Sequence, residues 1–109
     1  MLVYRLPPYV RAMTAMGLTE ADMKEVEASI SAAPQRHPMV KGLRGARKAR
    51  FARPGMGKRG GGRTIYYVAI SPDRIYMMTA YAKNERDDLS EDQRRAIIAA
   101  LESIKSRKS

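Results

Sequence analysis

Residues 63–70 read Arg63-Thr-Ile-Tyr-Tyr-Val-Ala-Ile70, and the fold turns on this stretch. β-Branched and aromatic side chains suit a pleated, half-buried surface, so the segment predicts a strand. Alternation places Arg63, Ile65 and Tyr67 on one face and Tyr66, Val68 and Ile70 on the other. Ser71-Pro72-Asp73 reads as a turn, and Arg74 to Lys83 returns as a second strand, antiparallel to the first. Upstream, Ala46 to Arg53 alternates loosely, with Lys48 and Arg50 on one side and Ala49 and Phe51 on the other. Between these strands, Pro54 to Gly62 reads as a loop carrying five glycines.

The flanks supply helices. Leu2 to Leu6 predicts a short strand stopped by Pro7-Pro8, and Tyr9 to Met16 a short helix with Gly17 just past its end. Thr19 reads as an N-cap with Asp22 in capping-box spacing. Met23, Val26, Ile30 and Ala33 then recur at helical intervals, with Glu20, Lys24, Glu25 and Glu27 elsewhere around the helix and Pro34 at its end. Ser90 opens a final helix, with Gln93 completing its box and Ile97, Leu101 and Ile104 as its apolar stripe. The order β-α-α-β-β-β-α predicts an α+β fold: a small antiparallel sheet, an N-terminal αα-hairpin and a C-terminal helix. One domain over residues 1–109 is expected.

Composition excludes several chemistries. The absence of cysteine removes disulfide frameworks, thiol catalysis and Cys-built zinc sites, and the single histidine, His37, argues against paired-His metal ligation. No cofactor and no metal are expected. His37 beside Pro38 reads as structural or surface, and the eight methionines as core filler. No apolar run approaches the ~20 residues of a membrane span, and the N-terminus lacks a signal-peptide core, so a cytoplasmic domain without a membrane partner is expected.

The charge is concentrated. The chain carries 21 Lys+Arg against 11 Asp+Glu, a formal net charge of +10. No acidic residue lies between Glu27 and Asp73, and that window holds ten cations, from Arg36 to Arg63. The rest of the chain has eleven of each sign and is neutral. A neutral scaffold bearing one cationic block points to a polyanion, and nucleic acid is the commonest in the cytosol. Lys48, Arg50 and Arg63 would share a sheet surface if the glycine hairpin folds back, and Lys83 could approach it. On composition alone this is an electrostatic binding strip.

Gly55-Met-Gly-Lys-Arg-Gly-Gly-Gly62 fails as a phosphate-binding P-loop, because Arg59 stands where Ser or Thr must follow Lys58 and Ala52 where the first glycine should be. It is either a hairpin that carries Lys58 and Arg59 to a backbone phosphate or a mobile connector. Tyr67 on the cationic face could stack a base or sit half-buried in the core. RNA brings its own nucleophile, the 2′-OH, so clustered Arg and Lys can in principle cut it without histidine or metal. No carboxylate pair exists in the cationic region, which argues against a two-metal nuclease.

Three segments carry a family likeness: Gly42-Leu-Arg-Gly-Ala-Arg-Lys-Ala-Arg-Phe51, Gly57-Lys-Arg-Gly-Gly-Gly-Arg-Thr-Ile-Tyr-Tyr67 and Ile75-Tyr-Met-Met-Thr-Ala-Tyr-Ala-Lys-Asn-Glu-Arg-Asp-Asp-Leu89. Over roughly residues 40–105 the chain resembles RelE/HigB-type toxins of bacterial toxin–antitoxin modules, nearest the HigB-like, phage-associated branch. The resemblance implies a ribosome-dependent mRNA endonuclease that cuts A-site codons and leaves a 2′,3′-cyclic phosphate. It implies catalytic roles for Lys48, Arg50, Arg63 and Lys83; Arg47, Lys58, Arg59 and Tyr67 are the RNA-binding candidates that the basic window, the glycine hairpin and the cationic strand face supply. It also implies an antitoxin partner, often with a helix-turn-helix domain. The chain departs from better-known members at Asn84, where they carry arginine, and their C-terminal tyrosine finds no match here. A non-catalytic basic RNA-binding module, or a degenerate toxin, is the alternative.

Overall fold

A computed structural model describes residues 1–53, 57–69, 73–83 and 88–106, with residues 57–60 as backbone only. The elements run β1 (Leu2–Arg5), α1 (Pro7–Ala15), α2 (Glu20–Ala32), β2 (Arg47–Arg53), β3 (Gly57–Ala69), β4 (Arg74–Ala82) and α3 (Glu91–Ser106). The order is the one the sequence predicts. The four strands form one sheet in the order β1-β4-β3-β2. β2, β3 and β4 pair antiparallel as expected, but β1 joins β4 in parallel, so the sheet is mixed. Its α1–α2 connection carries the chain over the sheet before the meander begins, which lets β1 run the same way as β4.

Two apolar layers flank the sheet. Tyr9, Met13 and Leu18 join Met23 and Ile30 of α2 against Ala49, Phe51, Tyr66 and Met77 on one face. Ile97 and Leu101 of α3 pack with Ile65, Met78 and Tyr81 on the other. Tyr66 and Tyr67 therefore look to opposite faces, as their alternation predicts. Both predicted caps form. The Thr19 hydroxyl accepts from the Asp22 amide at 3.2 Å, and the Ser90 hydroxyl accepts from the Gln93 amide at 3.1 Å.

The structure corrects two local expectations. β3 begins at Gly57, with Arg53 opposite Gly57 and Phe51 opposite Gly62, so much of the predicted glycine loop is strand. The glycines make this possible: a Cβ at Gly62 would lie 2.2 Å from Cζ of Phe51, whose ring lies across that position. Residues 54–56 of the expected loop, residue 70 of the expected strand and residues 71–72 of the expected turn lie outside the described residues. Glu27 is the second correction: it sits off the apolar stripe of α2 in sequence, yet it is buried. Its carboxylate accepts from Nε of Arg5 at 2.7 Å and from the Tyr9 hydroxyl at 2.8 Å. Arg5 also reaches Glu20, so one guanidinium ties β1 to two turns of α2. The Arg5 charge and the neutral Tyr9 phenol are both strongly favoured by this arrangement, Arg5 through hydrogen bonds to Glu20 and Glu27, Tyr9 through burial and its bond to Glu27.

Candidate nucleic-acid interface

β2 is an edge strand whose alternation sends Ala49 and Phe51 into the α2-side core. Lys48 and Arg50 consequently emerge on the other side. Register then brings cations together. Arg50 lies directly opposite Arg63, and Arg63 directly opposite Tyr81, so a row crosses three strands. Lys83 follows the end of β4, its amide donating to the Gly61 carbonyl at 3.0 Å. Lys48, Arg50, Arg63 and Lys83 all line one open groove of about 570 Å³.

Like charges placed directly opposite in a sheet destabilise it, so the Arg50–Arg63 pair is a cost to the folded chain that a bound anion relieves. Among the described residues no carboxylate lines the groove, and Lys48, Arg50 and Arg63 form no salt bridge. Asp88 is the acid that feels Lys48, and it is already bound to Arg94 at 3.1 Å. Its carboxyl is held below the usual range, first by the Leu89 amide and then by these cations. Among the described residues, the Arg63 guanidinium donates to the Gly62 carbonyl alone, at 3.1 Å.

The remaining expected RNA-binding residues separate from this group. Arg47 points the other way along β2 and donates to the carbonyls of Gln35 at 3.0 Å and His37 at 2.7 Å, clasping the connector that precedes the strand. Tyr67 packs in the α3-side layer with the Lys105 ammonium 5.3 Å from its ring centre, and it does not line the groove. Lys58 and Arg59 lie on β3 by backbone, and their side chains lie outside the described residues, as does Asn84.

Two groove residues escaped the sequence reading. Arg36 and His37, from the connector between α2 and β2, line it together with Ser29 and Pro38. Arg36 was detectable as the first cation of the acid-free window. His37 was not, because only tertiary folding turns its segment against the sheet. Its ring meets Tyr66 edge-on at 6.1 Å. Burial, with Arg36 and Arg47 nearby, holds its pKa below the ordinary histidine value.

Comparison with known proteins gives a consistent result. The family model for the RelE toxin of the RelE/RelB toxin–antitoxin system matches residues 42–108. A solved structure of a mutant E. coli toxin RelE in the free state superposes with a TM-score of 0.57, over 92% of this chain and 96% of that one. At 10% sequence identity that likeness establishes the fold alone. Lys48, Arg50, Arg63 and Lys83 fall inside the matched stretch, whereas Arg36, His37 and all of α2 fall outside it.

Proposed function

The chain belongs to the RelE toxin family, and from that premise we propose that it is a metal-independent endoribonuclease acting on mRNA in the ribosomal A site. The observation that carries this reading is the gathering of Lys48, Arg50, Arg63 and Lys83 into one groove, with no carboxylate among the described residues that line it. The reaction needs no outside nucleophile. The 2′-oxygen attacks the adjacent phosphorus, the P–O5′ bond breaks, and a 2′,3′-cyclic phosphate remains. Lys48 takes up the 2′-OH proton, and Arg63 stabilises the charge that builds on the phosphoryl oxygens. Arg50 braces the same phosphate through its planar fork, and Lys83 gives a proton to the departing 5′-oxygen. Arg36 extends the phosphate-binding surface, and Lys58 and Arg59 are further RNA-binding candidates by sequence.

The reading extends to the setting. One toxin domain spans the chain, its partner is an antitoxin with a helix-turn-helix DNA-binding domain, and the module belongs to the HigB-like, phage-associated branch. The protein acts in the cytoplasm, and among the described residues no helix is long and apolar enough to cross a membrane.

Induction in bacteria tests the catalytic claim. Growth arrest is expected, with cuts appearing in a translated reporter mRNA and not in its untranslated counterpart. Arrest by Arg63→Ala equal to that by the unaltered chain would sink the assignment. Salt-sensitive RNA binding with no cut on translating ribosomes would instead identify a non-catalytic module or degenerate toxin.

A further inference from the structure

A second hollow, of about 300 Å³, lies between α2 and β2. It adjoins the cationic groove, for Ser29, His37 and Arg50 line both. Its character is different. Val26, Ile30, Ala49 and Phe51 give it an apolar lining, and its charged groups include the carboxylates of Asp22 and Glu25. Asp22 is occupied, since its carboxylate accepts from the amide and hydroxyl of Thr19 at 2.8 and 2.9 Å. Glu25 makes no hydrogen bond or ion pair among the described residues.

We propose that this hollow is a nucleobase subsite of the RNA site, in which Glu25 accepts hydrogen bonds from the edge of a base whose phosphate lies in the groove. The inference rests on the RNA reading of that groove. A polynucleotide offers an anionic backbone beside flat, apolar-faced bases with polar edges, so a site for it needs two adjoining compartments of opposite character. Cations fit the phosphate and exclude nothing about the base. A carboxylate beside an apolar floor repels phosphate and accepts from N–H groups, which fits the base and rejects the backbone. A volume of about 300 Å³ is at the lower end for small-molecule sites, the range for one flat heterocycle. The shared wall supports the division. That wall is Ser29, Arg50 and His37, and protonation of His37 is disfavoured by burial and its arginine neighbours.

The acceptor chemistry sets an order among bases. Guanine presents two neighbouring donors, N1–H and the 2-amino group, to a carboxylate in bidentate fashion. Cytosine and adenine present an amino group beside a ring acceptor. Uracil presents one N–H between two carbonyls that repel a carboxylate. Guanine should bind best and uracil worst.

The test uses the full chain and 2′-O-methylated hexanucleotides, which lack the nucleophile and so report binding alone. A hexamer of U is compared with the same hexamer carrying one central G, A or C. The unaltered protein is expected to bind the G-containing strand at least about fivefold tighter than the U strand. Glu25→Ala and Glu25→Gln are expected to bring that ratio below about twofold. Glu25 is exposed, so neither variant threatens the fold, and circular dichroism confirms it. Equal affinity of the unaltered protein for the G and U strands overturns the subsite, as does a preference that survives both variants. Cleavage of reporter mRNA in either case leaves the ribonuclease reading standing while the subsite falls. Absence of binding to every strand overturns the subsite, and overturns the ribonuclease reading too only if the translated reporter mRNA is also left uncut.

Discussion

The Arg5–Glu27–Tyr9 cluster and the Arg50–Arg63 row both collect charge, but they treat it in opposite ways. In the first, one arginine meets two glutamates, the buried carboxylate of Glu27 is shared with a phenol, and the charge is spent inside the fold. In the second, two arginines face each other across neighbouring strands, with no carboxylate among the described residues of the groove they line. The first arrangement holds β1 to α2. The second weakens the sheet locally and makes sense only with a ligand. Pairing, more than the number of charges, separates residues that build this protein from residues that it presents.

The sharpest way to break that contrast is to remove one charge from each side. Arg63→Ala should lower mRNA cleavage by about 10²–10³-fold, the usual cost of losing a preorganised donor at a developing oxyanion. Its thermal stability should hold or rise, because the opposing Arg50 loses a like-charged neighbour. Glu27→Ala should do the reverse. It leaves the Arg5 guanidinium and the Tyr9 hydroxyl facing an empty site, and about 3 kcal/mol of stability is expected to go. Urea unfolding of the two variants decides the matter. If Arg63→Ala proves the less stable of the two, the division between presented and structural charge is wrong.

These two regions were also unequally legible. The basic row could be read because strand alternation fixes which residues share a face, and Arg63, Lys48 and Arg50 needed only that rule and a hairpin that folds back between them. Glu27 could not, since a lone carboxylate on an amphipathic helix looks like a solvated residue until its partners arrive from β1 and α1. The same reason hid His37, whose position depends on a connector clasped by Arg47. Arg47 itself was misleading: a cation within a basic run, it is consumed by two backbone carbonyls. The parallel pairing of β1 was likewise invisible, because a four-residue strand carries no signal of direction. Local patterning thus gave elements and faces, while pairing of charge depended on contacts distant in sequence.

Gly62 links the two layers and offers a smaller, more precise perturbation. It sits opposite Phe51 and immediately precedes Arg63. In Gly62→Ala the new methyl would fall 2.2 Å from Cζ of Phe51, so the ring or the strand must move. A loss of about 1–3 kcal/mol is expected, as for other overpacked positions. Adding Phe51→Leu should recover part of it, and a double-mutant cycle in urea should show coupling between the two sites. Additive losses would mean that the ring is not what glycine accommodates there.

The smallest expected effect concerns pH and comes from His37 at the groove wall. Its folded-state pKa lies below the unfolded value near 6.5, with burial the main cause and Arg36 and Arg47 adding to it. As pH falls through the unfolded pKa, the unfolded chain takes up a proton that the folded chain still refuses. The unfolded state then binds more protons, so stability must rise with pH across this window and fall on acidification. Below the folded pKa both states are protonated and the effect stops growing. His37→Gln should therefore flatten the stability profile on the acid side of about pH 6.5 while leaving the acid limb near pH 4 to the carboxylates. RNA supplies the opposing half of the experiment. A phosphate in the groove favours the imidazolium, so the binding of 2′-O-methylated RNA should strengthen on acidification in the unaltered protein and less so in His37→Gln. A stability profile unchanged by the substitution would remove His37 from the wall that divides the two compartments.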